Sequence, residues 1–144
     1  MRTLERMKVL VVEDNPNDVT IIKRAMRKSD VKCELYFASN GAEALDALYQ
    51  TGEFADTPRP DLILLDLRLP KVGGLEVLAK VKEDERLRRI PVIVLTESER
   101  EEDMVKAYDS GAASYMTKPV DSKDFERLIQ TVQDYWRIAR ISPE

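Results

Sequence analysis

Polar side chains follow several short apolar runs of this chain, at the point where each run ends. The runs are rich in Val, Ile and Leu and are separated by stretches of helix length, which predicts buried strands of a parallel sheet. The runs and their polar residues are Val9–Val12 with Glu13 and Asp14, Leu62–Leu65 with Asp66, Val92–Leu95 with Thr96, and Tyr115–Met116 with Thr117, Lys118 and Pro119. Because the carboxyl ends of parallel strands share one edge, where ligands bind, we expect these side chains to meet.

Three carboxylates of this set, those of Glu13, Asp14 and Asp66, would lie side by side if the strand order is 2-1-3-4-5. Two carboxylates about 5 Å apart repel each other by roughly 3 kcal/mol at an effective dielectric constant near 20, so such a cluster favours a bound cation. Mg²⁺ is commonly bound by one or two carboxylates together with phosphate oxygens. Ca²⁺ also takes oxygen ligands, but the spacing of these three acids along the chain is not that of a calcium-binding loop. We therefore predict Mg²⁺ as the cofactor and Asp66 as the nucleophile toward a phosphoryl group.

Two further side chains suit the same chemistry. Lys118 offers an ammonium group and Thr96 a hydroxyl donor to phosphoryl oxygens. Pro119 raises the chance of a cis Lys118–Pro119 bond, which would aim Lys118 inward. Each residue alone has a plainer interpretation, since Thr often caps helices and lysine is usually a surface residue. Together they predict catalytic roles for Asp66, Thr96 and Lys118.

The composition limits the classes of function. The chain has 144 residues, of which 43% are hydrophobic and 35% charged, as expected of one globular domain. Its net charge of −4 gives no general attraction to nucleic acid or to anionic membranes. Cys33 is the only cysteine, and residues 1–6 lack the apolar core of a signal peptide, so we expect a cytoplasmic protein without nucleic-acid or membrane binding. The absence of histidine excludes histidine-based catalysis and a phosphohistidine in this chain.

Strand and helix patterns alternate along the whole chain. The predicted strands are 7–12, 32–38, 61–65, 91–95 and 113–117, and the predicted helices are 16–28, 41–50, 74–84, 99–109 and 122–140. Alternation with short connections implies right-handed crossovers and helices on both faces of a parallel sheet. We therefore predict an α/β doubly wound, flavodoxin-like (βα)5 sandwich with five parallel strands in the order 2-1-3-4-5. One domain, 1–144, with its core at 7–136, leaves no room for an output domain.

The chain resembles the receiver domain of two-component response regulators, and the resemblance extends from about Met7 to Trp136. The resemblance is carried by Glu13-Asp14 after the first strand, Asp66 in Leu-Leu-Asp-Leu-Arg-Leu-Pro, Thr96, and Lys118-Pro119. It implies that Asp66 accepts a phosphoryl group from a sensor histidine kinase. It further implies that Mg²⁺ is held by Glu13, Asp14, Asp66 and the backbone carbonyl of Arg68, that Lys118 contacts the phosphoryl group, and that Thr96 and Tyr115 switch position in response.

In its long loop 51–60 and its lack of an output domain, the chain resembles the stand-alone regulators that partner phytochrome-type and related sensor kinases. Such a protein would act through a downstream protein reader or a phosphotransfer protein, and a homodimer through helix 99–109 or the last helix is compatible with the sequence. Glu97 departs from the family, in which a small residue usually follows the Thr96 position. This long acid is expected to narrow the opening to the phosphoryl site or to repel the anion.

Two other functions remain open from the sequence. A phosphatase with an aspartyl-phosphate intermediate commonly carries a second acid two residues after its nucleophile, but Arg68 stands there. A binding module with a vestigial phosphorylation site is the second alternative, and Glu97 is the only residue that suggests it.

Overall fold

The computed structural model of the protein describes residues 7–28 and 32–138, in which strands and helices alternate as predicted. The strands are β1 (Met7–Val12), β2 (Cys33–Ala38), β3 (Leu62–Leu65), β4 (Val92–Thr96) and β5 (Ser114–Thr117). The helices are α1 (Pro16–Lys28), α2 (Gly41–Tyr49), α3 (Gly74–Glu83), α4 (Glu101–Asp109) and α5 (Ser122–Ile138), and a single 3₁₀ turn occupies Gly52–Phe54.

The strands form one parallel sheet in the order β2-β1-β3-β4-β5, which confirms the predicted fold class. Val12 lies opposite Leu65 where β1 and β3 pair. The pairing continues past the strand ends, because the Glu13 amide donates to the Ala38 carbonyl at 2.9 Å and the Asp66 amide to the Val12 carbonyl at 3.1 Å. The residues that follow β1 and β3 therefore begin at neighbouring points of the same edge.

The core consists of two apolar layers, one on each face of the sheet. Alternate strand residues point to opposite faces, so Leu10 and Leu65 pack in one layer while Val9 and Leu64 pack in the other. Helices α2, α3 and α4 cover the first layer, and α1 and α5 cover the second. This double burial explains why the central strands are continuously apolar.

Asparagine side chains cap helices α1 and α2, which follow β1 and β2 at the carboxyl edge. The Asn15 side-chain oxygen accepts hydrogen bonds from the amides of Asn17 at 2.9 Å and Asp18 at 3.2 Å, as an N-cap residue does. Asn40 caps α2 by accepting from the Glu43 amide at 2.8 Å. The first turns of α1 and α2 are thus fixed directly beside the ends of β1 and β2.

Two predicted details are wrong. The described residues contain no cis peptide bond, so proline isomerism does not aim Lys118. Instead, its amide donates to the Thr96 carbonyl at 2.7 Å and extends the β4–β5 pairing by one residue. Helix α4 begins at Glu101 rather than at residue 99, because the Arg100 amide donates to the Ser98 hydroxyl at 3.2 Å and Arg100 is extended. For α5, predicted residues 139 and 140 lie outside the described part of the chain.

None of the helices in the described ranges has both the length and the apolar character needed to cross a bilayer.

Gly74 permits the close approach of α3 to the backbone after β3. A Cβ atom at this position would lie 2.4 Å from the Asp66 carbonyl oxygen and 2.6 Å from the Leu67 Cα. We expect Gly74→Ala to lower the free energy of unfolding by about 1–3 kcal/mol, because backbone must shift to accommodate the methyl group. Denaturant-induced unfolding measures this change. Gly73→Ala is the matched control, since nothing lies within 4 Å of its Cβ position; an equal loss in both variants would contradict the steric explanation.

Candidate functional site

The carboxyl edge of the sheet brings the predicted site residues together. Glu13, Asp66, Thr96 and Lys118 are all buried, although each is polar or charged, while Asp14 is exposed. Buried ionisable groups are rare unless they are paired or bind a metal. Their concentration at one edge therefore marks a site and not an ordinary solvated surface.

The ammonium group of Lys118 lies at the centre of this cluster. Its Nζ is 2.6 Å from Glu13 Oε1, 2.8 Å from Asp18 Oδ2 and 3.0 Å from Asp66 Oδ2, and only 4% of the lysine side chain is exposed. Burial by itself lowers the pKa of Lys118, but the hydrogen bonds that Lys118 donates to Asp18 and Glu13 and the nearby negative charges outweigh this effect, so the pKa lies above its ordinary value. Lys118 is therefore a fixed positive charge next to Asp66.

Asp66 and Glu13 are oriented by backbone amides as well as by Lys118. Asp66 Oδ1 accepts a hydrogen bond from the Arg68 amide at 3.0 Å, which leaves Oδ2 directed at Lys118. Glu13 Oε2 accepts from the Asn15 amide at 3.2 Å. The pKa of Glu13 is raised to about 7, because the effect of burial exceeds the opposite effect of its hydrogen bond with Lys118. A bound cation would favour the charged form of this carboxylate.

Three carboxylates form a cluster that suits a divalent metal ion. One oxygen from each of Glu13, Asp14 and Asp66 lies within 4.8 Å of the others. A set made only of carboxylate oxygens matches the hard cations Mg²⁺, Ca²⁺ and Mn²⁺ and does not favour softer metals, which prefer thiolate or imidazole ligands. The donor chemistry therefore fits the predicted metal site. Arg68 contacts Asp66 through its amide, and a role for its carbonyl stays a prediction.

Thr96 and Tyr115 lie on one hydrogen-bonded path that leads away from this cluster. Thr96 is fully buried, and its hydroxyl accepts from the Ser98 amide at 3.4 Å. The Tyr115 hydroxyl donates to the Ser98 carbonyl at 2.9 Å, and the Tyr115 amide donates to the Tyr108 hydroxyl at 3.1 Å. Ser98 also donates to Asp103 on α4 at 2.5 Å. The loop after β4 is thus tied to both α4 and β5.

Asp18 and Ser98 are two residues of this region that were not predicted from the sequence. Asp18 lies in the first turn of α1, four residues after Asp14, and contacts Lys118 directly. An acid in the first turn of a helix that starts at the site edge was an available signal, but helix-dipole stabilisation explains such acids equally well. Ser98 had no comparable signal, because its role depends on a contact from Tyr115 in another strand.

A cleft of about 530 Å³ opens onto Lys118. Its lining includes Asn15, Asp18, Glu97 and Glu99. Glu97 is exposed and lines this cleft, and its predicted effect on the approach of an anion stays a prediction. An anionic phosphodonor that approaches Lys118 through the cleft would therefore pass two glutamates.

Comparisons with known proteins agree on one family. Residues 9–132 match the family described as response regulator receiver domain. Response regulator Rcp1 of Synechocystis sp. (strain ATCC 27184 / PCC 6803 / Kazusa) is 40% identical over 128 residues, which cover 89% of this chain and 87% of Rcp1.

Two solved structures are similar along nearly the whole chain. The Mn²⁺-bound form of Rcp1 superposes with a TM-score of 0.90 at 38% identity and covers 96% of this chain and 99% of that one. The phosphorylated cyanobacterial phytochrome response regulator RcpA superposes with a TM-score of 0.92 at 39% identity and covers 96% of this chain and 100% of that one. One similar protein thus binds a divalent metal, and another carries a phosphoryl group.

Lys118 compensates three carboxylates, so its removal is expected to be costly. We expect Lys118→Met to lower the free energy of unfolding of the metal-free protein by about 3–5 kcal/mol, because Glu13, Asp18 and Asp66 lose their shared cation. Added Mg²⁺ should recover part of the loss, since it supplies positive charge to the same cluster. Thermal unfolding with and without Mg²⁺ measures both effects. Lys123→Met, at an exposed position of α5, is the control, and an equal loss there would contradict the prediction.

Proposed function

The chain belongs to the response regulator receiver domain family, and on that premise we propose that Asp66 accepts the phosphoryl group of a sensor histidine kinase while Glu13, Asp14 and Asp66 hold Mg²⁺. The contact between Lys118 and Asp66 Oδ2 at 3.0 Å, beside the three-carboxylate cluster, carries the assignment. It combines a nucleophilic carboxylate, a fixed cation and a metal site in one place. The resemblance to phytochrome-associated regulators is confirmed.

The proposed chemistry is an in-line transfer. Asp66 Oδ2 attacks the phosphorus of the kinase phosphohistidine, the P–N bond breaks, and the imidazole nitrogen keeps the electron pair and is protonated as it leaves. Glu13, Asp14 and Asp66 would hold the divalent cation, which when bound would supply positive charge to offset the negative charge at the phosphoryl oxygens. Lys118 donates to one of these oxygens, and the Thr96 hydroxyl donates to another. The catalytic set is therefore Asp66, Thr96 and Lys118.

We further propose that the Thr96 hydroxyl and Tyr115 act as the switch. If Thr96 moves to donate to the phosphoryl group, its hydrogen bond with Ser98 changes, and the Tyr115 hydroxyl is bound to the same residue. The movement would then reach α4 through Tyr108 and Asp103. Such a two-state surface is a general way for a local phosphorylation to be read by a partner protein.

The partners we propose follow from the relatives. RcpA is a cyanobacterial phytochrome response regulator, so a phytochrome-like sensor kinase is the proposed phosphodonor. The face formed by α4 and β5, with Met104, Val105 and Tyr108 exposed, is the proposed surface for a protein reader or a second copy of the chain. A cytoplasmic location suits a partner kinase whose phosphohistidine is exposed to the cytoplasm.

The phosphatase alternative does not stand, since the chain is a phosphoacceptor signalling domain and not a classical enzyme.

Phosphorylation at Asp66 is directly measurable. With acetyl phosphate and Mg²⁺, we expect the wild-type protein to gain the mass of one phosphoryl group by intact-mass spectrometry. Asp66→Asn should gain none, because the amide is not a nucleophile at this position. Asp56→Asn, at an exposed loop position, is the control and should label like the wild type. Labelling of Asp66→Asn at the wild-type level would rule out the proposed phosphoacceptor.

Glu97 is expected to slow phosphorylation by anionic donors. Glu97 lines the same cleft as Lys118. We predict that Glu97→Ala raises the initial rate with acetyl phosphate about two- to fivefold at low ionic strength, with a smaller gain in high salt because the repulsion is screened. Glu101→Ala in the exposed first turn of α4 is the control. A rate that is unchanged by Glu97→Ala at both salt concentrations would show that this charge has no influence on entry.

A further inference from the structure

Asp18 differs from the other two carboxylates that contact Lys118. Glu13 and Asp66 also belong to the three-carboxylate cluster that could hold a metal ion. Among the described residues, that cluster does not include Asp18. Asp18 Oδ2 is nevertheless 2.8 Å from the Lys118 ammonium group, and its side chain is only 16% exposed. We infer that Asp18 is a positioning residue, which keeps Lys118 beside Asp66 while a divalent cation occupies the cluster. This inference rests on the function proposed above.

The three hydrogen-bond donors of Lys118 are all engaged. An ammonium group has three N–H donors, and here it contacts the carboxylates of Glu13, Asp18 and Asp66. All of its donors are therefore in use before any phosphoryl group arrives. The contact with Asp66 Oδ2 is the one that phosphorylation must change, because that oxygen becomes the one bonded to phosphorus.

A divalent cation alters the balance among these contacts. Two of the carboxylates that attract Lys118 would also ligate the cation, so their charge is shared, and the cation itself repels the ammonium group. Asp18 alone attracts Lys118 without that competition. Once the Lys118 N–H group that contacts Asp66 Oδ2 is released, it can donate to a phosphoryl oxygen. The contact with Asp18 still holds the ammonium group in place.

The local structure fixes Asp18 for this task. It lies in the first turn of α1, and its amide donates at 3.2 Å to the side chain of Asn15, the residue that caps the helix. The alternative is a purely structural role, in which the acid stabilises the amino terminus of α1 through the helix dipole. That role predicts a small loss of stability, but no change in the rate of phosphorylation once the protein is folded and saturated with metal.

The test combines metal affinity with reaction rate in Asp18→Asn and Asp18→Ala. Isothermal titration calorimetry with Mg²⁺ gives the affinity, and intact-mass time courses with acetyl phosphate at saturating Mg²⁺ give the rate. We expect Asp18→Ala to be phosphorylated about tenfold more slowly, because Lys118 is no longer held in place. Its Mg²⁺ affinity should be unchanged or higher, since a released lysine repels the ion less. Asp18→Asn should be intermediate, because its amide oxygen accepts a weaker hydrogen bond.

Two control variants make the result specific. Glu126→Gln removes a carboxylate of α5 that forms ion pairs with Arg24 and Lys28 of α1 and whose side chain is 18% exposed, similar to that of Asp18; it should change neither quantity. Asp14→Asn removes a proposed metal ligand, so its Mg²⁺ affinity should fall, in contrast to the Asp18 variants.

The outcomes separate this inference from the proposed function. If the wild-type protein is phosphorylated at Asp66 and folded Asp18→Ala reacts at the wild-type rate, only the role of Asp18 is overturned. A parallel fall of Mg²⁺ affinity in Asp18→Ala would also overturn it, because it would make Asp18 part of the metal site. If Asp66→Asn is labelled like the wild type, both the proposed function and the inference fail.

Discussion

Lys118 places one positive charge among the buried carboxylates of Glu13 and Asp66 and the partly buried carboxylate of Asp18, and the arrangement of the site depends on this interaction. Its contacts of 2.6–3.0 Å connect Glu13 after β1, Asp66 after β3 and Asp18 in α1 with the residue that follows β5. Without a cation, these acids would repel each other in surroundings that screen charge poorly. The same repulsion makes the site receptive to a divalent ion, so structural stability and chemical reactivity have one electrostatic origin.

The apolar sheet keeps this charged cluster in place. Leu62–Leu65 and Val92–Leu95 are buried on both faces, and their strands cannot slide without exposing apolar side chains to water. The first polar residue after each strand is therefore held at the carboxyl edge. Gly74 also helps to position Asp66, because the absence of a side chain at Gly74 lets α3 begin in contact with the Asp66 carbonyl. A rigid core thus supports a site whose own residues would otherwise repel.

The path from Thr96 to the surface has a different character. It consists of single hydrogen bonds through Ser98 and Tyr115 to α4, whose exposed face carries Val105 and Tyr108. Single hydrogen bonds contribute little net stability each, so this region can change its arrangement at a small cost in free energy. The rigid cluster and the adaptable path suit the two tasks of a receiver, which are to hold the phosphoryl group and to report its presence.

Local sequence patterns were sufficient to predict the fold and most of the residues that meet at the carboxyl edge. Apolar runs that end in acids, a hydroxyl or a lysine are local patterns, and they sufficed to predict the parallel sheet and to select Asp66 and Lys118. Which charged and polar groups pair with one another, in contrast, depends on tertiary contacts. Asp18 joined the site because α1 begins over the same edge, and Ser98 because Tyr115 reaches it from β5. Such contacts depend on distances between separate elements, which residue types and spacing do not encode.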